Sequence, residues 1–173
     1  MKKLHFIFLI LIGAFAANAQ VIEPCKWSTE VSTKSPKVGD KMELIFNIAI
    51  DDGWHLYSSD FDPNCGPVVT VFNFNKNDSY KLVGGIKPIG AVKQYDDIFE
   101  CDYTSFHHKG QFKQTVEILK ENAKITGQYD YQTCTDAGKC IIFDDEFEFN
   151  IKAKASAKVI KEEIKATVEE VIE

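Results

Sequence analysis

The sequence predicts an all-β fold: an immunoglobulin-like antiparallel β-sandwich with an amphipathic helix at its C-terminus. Apolar and polar residues alternate with a period of two from about residue 27 to residue 151. Turn residues interrupt this pattern about every eight to twelve positions, which is typical of the short strands of a sandwich. The last twenty residues or so instead carry apolar side chains at spacings of three and four, which is a helical pattern.

The N-terminal region has the pattern of a secretory signal. Lys2 and Lys3 precede an apolar stretch over residues 6–16, which is followed by Ala17-Asn18-Ala19. We therefore expect the exported chain to begin at Gln20. The apolar stretch is too short for a bilayer and no later segment is both long and apolar enough, so the exported chain is not expected to span a membrane.

Eight segments of the remaining chain are predicted strands. The clearest is 42–50, because Asp51-Asp52-Gly53 forms a turn that ends it. The predicted strands are 42–50, 54–57, 68–74, 80–83, 101–106, 112–119, 125–134 and 140–151. The domain organisation is then a signal peptide (1–19), one sandwich domain (20–151) and a helical tail (152–173), whose helix either packs on the sandwich or contacts a partner.

The charged residues limit the class of partner. All twenty basic residues are lysine, and loss of Lys2 and Lys3 with the signal takes the formal net charge from −6 to −8. The planar guanidinium fork that suits phosphate and carboxylate recognition is therefore absent. Nucleic acid and acidic ligands are poor candidates as partners of an acidic, arginine-free chain.

Five cysteines follow the predicted cleavage site: 25, 65, 101, 134 and 140. An exported chain carries them into an oxidising compartment, where disulfides are expected. The odd count leaves at least one thiol unpaired or shared with another molecule. Any two of the first three could form a structural bridge. Cys25–Cys65 is the preferred pair, because both lie near strand ends in segments with Pro or Gly, and Cys101 would then be free.

Cys134 and Cys140 flank a five-residue loop between the last two predicted strands. Directly opposed residues on antiparallel strands have Cα separations of about 4.5–5.5 Å, within the range of a disulfide. Closing a loop of about seven residues stabilises a fold by only roughly 2.4 kcal/mol, against roughly 4.7 kcal/mol for a hundred residues. A bridge at a loop tip is also accessible to the thiolate of another protein. Spacing alone leaves open both a structural bridge and an exchanging pair.

Three motifs together resemble a known family. They are Cys134-x5-Cys140 with Asp136-Ala137-Gly138 inside it and Tyr131-Gln132 before it, Gly53-Trp54-His55-Leu56-Tyr57-Ser58, and Gly66-Pro67 with the later segment 93–99. In this combination, which extends over residues 24–151, the chain resembles the N-terminal periplasmic domain of the thiol:disulfide interchange protein DsbD, as a free-standing member of that family.

The resemblance implies a redox-active pair, Cys134 and Cys140, that cycles between dithiol and disulfide in the periplasm without a cofactor. Its electrons would come from a membrane-embedded thiol:disulfide donor and pass to thioredoxin-like periplasmic proteins. The chain would then be a component of a protein-disulfide reductase. Family analogy favours Cys140 as the cysteine that attacks first.

The resemblance also assigns a cap loop to Tyr95, Asp96, Asp97, Ile98 and Phe99. Ile98 or Phe99 would shield the two sulfurs, and the two carboxylates would disfavour a thiolate beside them. The alternative is an ordinary loop with one buried aromatic side chain. The chain departs from the family in lacking the proline-rich continuation after Cys140 and any membrane-spanning region downstream.

Two other functions stay open on the sequence alone. One is a secreted immunoglobulin-like binding module in which the bridge is purely structural. The other is a periplasmic metal carrier, since His107-His108 and the cysteines are ligand types that zinc and copper use. Adjacent residues on a strand face opposite sides, so both histidines could bind one ion only in a turn, and we predict no metal site. His55 is interpreted as a structural histidine.

Overall fold

The computed structural model of the protein describes residues 22–156, and it folds them into ten strands. The predicted signal peptide (1–19) lies outside the described residues. The strands are β1 (Cys25–Val31), β2 (Lys41–Ile50), β3 (Trp54–Tyr57), β4 (Val71–Phe74), β5 (Tyr80–Ile89), β6 (Val92–Asp96), β7 (Cys101–His107), β8 (Lys109–Ile118), β9 (Asn122–Thr135) and β10 (Cys140–Lys152).

The ten strands form two antiparallel sheets, which confirms the all-β immunoglobulin-like sandwich. One sheet has four strands in the order β1-β2-β8-β5. The other has six, in the order β10-β9-β3-β7-β6, with β4 also paired to β9. Strands far apart in the sequence are neighbours in both sheets, so the fold depends on non-local pairing.

The start of the predicted C-terminal helix is extended in the structure, so the helix prediction is wrong for residues 152–156. Lys152 is the last residue of β10, and Lys154 bridges to Lys37. The Ala153 N–H donates to the Glu121 carbonyl at 2.7 Å, because the ladder between β9 and β10 continues into this segment. The rest of the predicted helix, 157–173, lies outside the described residues. None of the described residues forms a helix that could cross a membrane.

Aromatic side chains fill the space between the sheets. Phe46 of β2 is fully buried, and its ring centroid lies 5.0 Å from that of Phe147 in β10. Trp27 of β1 stacks on Phe112 of β8 at 6.0 Å and packs against Tyr129 of β9 at 4.3 Å. Such pairs add to the free energy gained by burying the rings. The core therefore holds β9 and β10 firmly from one side.

The hairpin of β9 and β10 carries the two cysteines of interest at its tip. Every residue of β10 is paired with β9, beginning with Cys140 opposite Cys134. The other edge of β9 pairs with β3, which places His55 directly opposite Cys134. The tip of the hairpin is thus positioned by ladders on both sides of Cys134.

Candidate functional site

Cys134 and Cys140 form a disulfide that closes the tip of the β9–β10 hairpin, with a Cα separation of 4.1 Å. The loop between them is held by its own hydrogen bonds: the Thr135 N–H donates to the Lys139 carbonyl at 2.8 Å, and the Lys139 N–H donates to the Thr135 hydroxyl at 3.0 Å. Gly138 has φ of 84°, a conformation that other residues adopt only with strain. The local sequence thus builds a tight loop with the sulfurs opposed.

The two cysteines differ sharply in exposure. Cys134 is 2% exposed, and its sulfur accepts a hydrogen bond from the Gln132 side-chain amide at 3.4 Å. Cys140 is exposed. An incoming thiolate must approach the sulfur that it attacks, so Cys140 is the accessible member of the pair.

His55 lies beside this disulfide, a position that the sequence did not predict. It lies opposite Cys134 in one ladder and opposite His107 in the other, and its ring centroid is 5.5 Å from that of His107. Its Nδ1 atom is 3.8 Å from the carboxylate of Asp136, which belongs to the loop between the cysteines. Burial and then the neighbouring His107 lower the pKa of His55, while Asp136 acts in the opposite direction. The only signal in the sequence was the Trp-His-Leu-Tyr motif, which does not show what its histidine faces.

The predicted cap loop begins at the end of β6 and continues as a turn into β7. Tyr95 and Asp96 are the last residues of β6, and the Asp96 carboxylate accepts hydrogen bonds from the N–H groups of Ile98 (2.8 Å) and Phe99 (3.0 Å). Asp97 lies in the turn.

Phe99 of the cap loop packs against another loop. The ring of Phe99 lies so close to Gly66 that a Cβ added there would overlap it. Phe99 is 55% exposed and Ile98 is 86% exposed, so Ile98 contacts little in this conformation. The shielding of the sulfurs by this loop stays a prediction.

A second disulfide joins Cys65 to Cys101, with a Cα separation of 5.8 Å, and the expected Cys25–Cys65 bridge is wrong. Cys25 is a buried free thiol whose S–H donates to the Thr133 hydroxyl at 3.6 Å. Burial raises the pKa of Cys25 to about 11. The expectation failed because Cys25 begins a strand of the four-stranded sheet, whereas the fold brings Cys65 beside the start of β7.

His107 and His108 do not converge on one point. His107 ends β7, and its Nε2 atom is 3.3 Å from the Ser105 hydroxyl. His108 has φ of 60° and lies 3.2 Å from the Asp52 carboxylate. Within residues 22–156, no group of three or more His, Cys, Asp and Glu side chains is arranged to hold a metal ion.

Comparison with known proteins connects this geometry to a family. The sequence model for the N-terminal region of the thiol:disulfide interchange protein DsbD matches residues 26–152, which include both disulfides, His55 and the cap loop. A comparison with curated proteins finds no significant match.

Solved structures also match this chain, at low sequence identity. The reduced DsbD N-terminal domain of Neisseria meningitidis is 20% identical, with 73% of this chain and 86% of that chain covered and a TM-score of 0.47. The N-terminal periplasmic domain of ScsB from Proteus mirabilis is 11% identical, with coverage of 83% and 52% and a TM-score of 0.50. A complex of the DsbD and PilB N-terminal domains from N. meningitidis matches at 21% identity, with coverage of 72% and 80% and a TM-score of 0.40.

Proposed function

Because this chain belongs to the family of DsbD N-terminal domains, we propose that it exchanges thiols and disulfides with partner proteins through Cys134 and Cys140. One observation carries the proposal: an exposed sulfur, Cys140, is bonded to a buried one, Cys134, at the tip of a firmly held hairpin. An exchanging pair needs one sulfur that partners can reach and a second that can displace them.

The reaction transfers two electrons from this domain to a partner. The Cys140 thiolate attacks a partner disulfide, forms a mixed disulfide and releases one partner thiolate. Cys134 then attacks the Cys140 sulfur, the bond between Cys140 and the partner breaks, and the partner leaves with both of its sulfurs reduced. No cofactor is needed. The chain is then a component of a protein-disulfide reductase.

The proposed setting is the periplasm. A membrane-embedded thiol:disulfide donor re-reduces the Cys134–Cys140 pair, and thioredoxin-like periplasmic proteins accept its electrons. In support, the family model that matches residues 26–152 is that of the N-terminal region of a thiol:disulfide interchange protein.

The cap loop is proposed to cover the pair between encounters with partners. It carries two exposed apolar side chains, Ile98 and Phe99, which have surface available for such a contact. The Cys65–Cys101 bridge fixes the C-terminal end of the loop, because Cys101 is the first residue of β7. Asp96 and Asp97 would keep the cysteines protonated while the loop covers them.

The alternative is a binding module with a purely structural bridge, and the reduction potential separates the two. A structural disulfide is expected below about −300 mV, and an exchanging pair at a more oxidising value. We expect the Cys134–Cys140 couple above that limit. A value well below it contradicts the proposal.

A trapping experiment gives an independent test. In cells, the Cys134→Ala variant retains exposed Cys140 and should accumulate a mixed disulfide with a partner. The matched Cys140→Ala variant retains only buried Cys134 and should trap far less. Equal trapping by both variants, or none by either, would contradict the assigned roles.

A further inference from the structure

The His55 side chain shares a face of the six-stranded sheet with Cys134. The two residues are directly opposed on antiparallel strands, which places their Cβ atoms about 4.5–5.5 Å apart on the same side of the sheet. Leu56, the next residue along β3, belongs to the core. His55 therefore points away from the core. Cys140, His55 and His107 all lie in one row with Cys134 across four neighbouring strands.

The two nitrogens of the imidazole have different surroundings. Nδ1 faces the Asp136 carboxylate at 3.8 Å, whereas Nε2 is buried and has no hydrogen-bond partner among residues 22–156. A proton on Nδ1 is favoured by the carboxylate and leaves a lone pair on Nε2. A cysteine, a histidine and a carboxylate in this order resemble the arrangement in which a base activates a nucleophile and an acid orients the base.

The groups around His55 keep it neutral near neutral pH. Burial and the facing His107 lower the pKa of His55, and Asp136 only partly opposes them. Tyr57 on the same strand has its ring 5.1 Å away, and burial raises its pKa, so it adds no charge. A neutral imidazole can accept a proton, whereas an imidazolium cannot.

We propose that His55 is the general base of the resolving step, in which it removes the proton from the Cys134 thiol. The inference rests on the function proposed above. In the mixed disulfide between Cys140 and a partner, the Cys134 S–H bond breaks and its proton goes to Nε2. The sulfur's electron pair attacks Cys140, the intramolecular disulfide forms, and the partner leaves as a thiolate. Asp136 stabilises the imidazolium until the proton passes to water.

The need for a local base follows from burial. Cys134 is 2% exposed, so water cannot hydrate a thiolate there well. A base across the ladder removes the proton without bringing solvent to the sulfur.

The test is stopped-flow reaction of the reduced protein, in excess, with Ellman's reagent, an aromatic disulfide whose thiolate product is coloured. The first phase reports attack by Cys140 and the second reports resolution by Cys134. In the wild type, the second phase should rise with pH through the pKa of His55, below 6.5, and then level off. In His55→Gln it should be about tenfold or more slower at neutral pH and should keep rising past about pH 8.5, the ordinary pKa of a thiol, because burial disfavours the Cys134 thiolate.

Control variants separate this role from a structural one. His108→Gln alters an exposed histidine and should match the wild type, and Cys134→Ala should lack the second phase. In Asp136→Asn, the rate of the second phase should begin to rise at a lower pH than in the wild type, because the Asp136 carboxylate raises the pKa of His55. Imidazole added to His55→Ala should restore the second phase.

The outcomes are distinct. If wild type shows both phases and His55→Gln has the same pH profile, or is slowed equally at all pH values, the role of His55 is refuted and the exchange function stands. If wild type releases only one coloured thiolate per molecule of reagent instead of two, Cys134 does not resolve the mixed disulfide, and both the role and the function fail.

Discussion

Removal of the Cys65–Cys101 bridge should destabilise the domain more than removal of the Cys134–Cys140 bridge. The two bridges have sequence separations of 36 and 6. In the chain-entropy model, closed loops of about 37 and about 7 residues give about 3.8 and about 2.4 kcal/mol. The difference of about 1.4 kcal/mol is a factor of about ten in the folding equilibrium constant. We therefore expect Cys65–Cys101 to be the more stabilising disulfide. Reduction of Cys134–Cys140 should lower the free energy of unfolding by less.

The assay is urea unfolding of two double variants, Cys65→Ala with Cys101→Ala and Cys134→Ala with Cys140→Ala, followed by tryptophan fluorescence. In addition, the wild type is titrated with a dithiol in steps. Alkylation and peptide mapping at each step show which of the two disulfides is reduced first. We expect Cys134–Cys140 to open first, because Cys140 is exposed and Cys65 is 2% exposed. A larger stability loss for the 134/140 variant, or earlier opening of Cys65–Cys101, would refute the division into a structural and an exchanging bridge.

Two further predictions concern the cap loop and the free thiol. Gly66→Ala should displace the Phe99 ring from Gly66 and increase chymotrypsin cleavage after Phe99. The control is Gly39→Ala, which also has a positive φ but has open space around it; it should lower the free energy of unfolding by about 1 kcal/mol without increasing cleavage. Equal cleavage of both variants would count against the contact between Phe99 and Gly66. Burial raises the pKa of Cys25 to about 11. Cys25 should therefore not react with iodoacetamide at about pH 8 in the folded oxidised protein, and it should react once urea unfolds the protein. Labelling of the folded protein would show that the region around Cys25 opens.

The strands that bury one face were predicted well from the sequence. The segment 54–57 matches β3 residue for residue, and 42–50 differs from β2 by one residue. β6 was missed because most of its side chains are exposed, so no alternation marks it. The segment 68–74 was predicted too long: only Val71–Phe74 is strand, because the preceding residues form a loop in which the Val68 N–H binds the side chain of Gln132.

The two disulfides differ in how far the sequence could predict them. Cys134 and Cys140 belong to one hairpin, so spacing was enough to oppose them. Cys65 lies in the loop between β3 and β4 and Cys101 begins β7, so the fold joins residues 36 positions apart, which no local pattern reports. His55 reaches Cys134 through a strand pairing between residues far apart in the chain, so its position beside Cys134 became visible only in the fold.

The long ladder between β9 and β10 has a consequence for the reduced protein. All 13 residues of β10 are held against β9 by backbone pairing that does not involve sulfur. Opening the disulfide therefore leaves the two thiols at a high effective concentration with respect to each other. For the proposed exchange function, this means that ring closure would expel a bound partner with little entropic cost, and that the domain would not need to refold between turnovers.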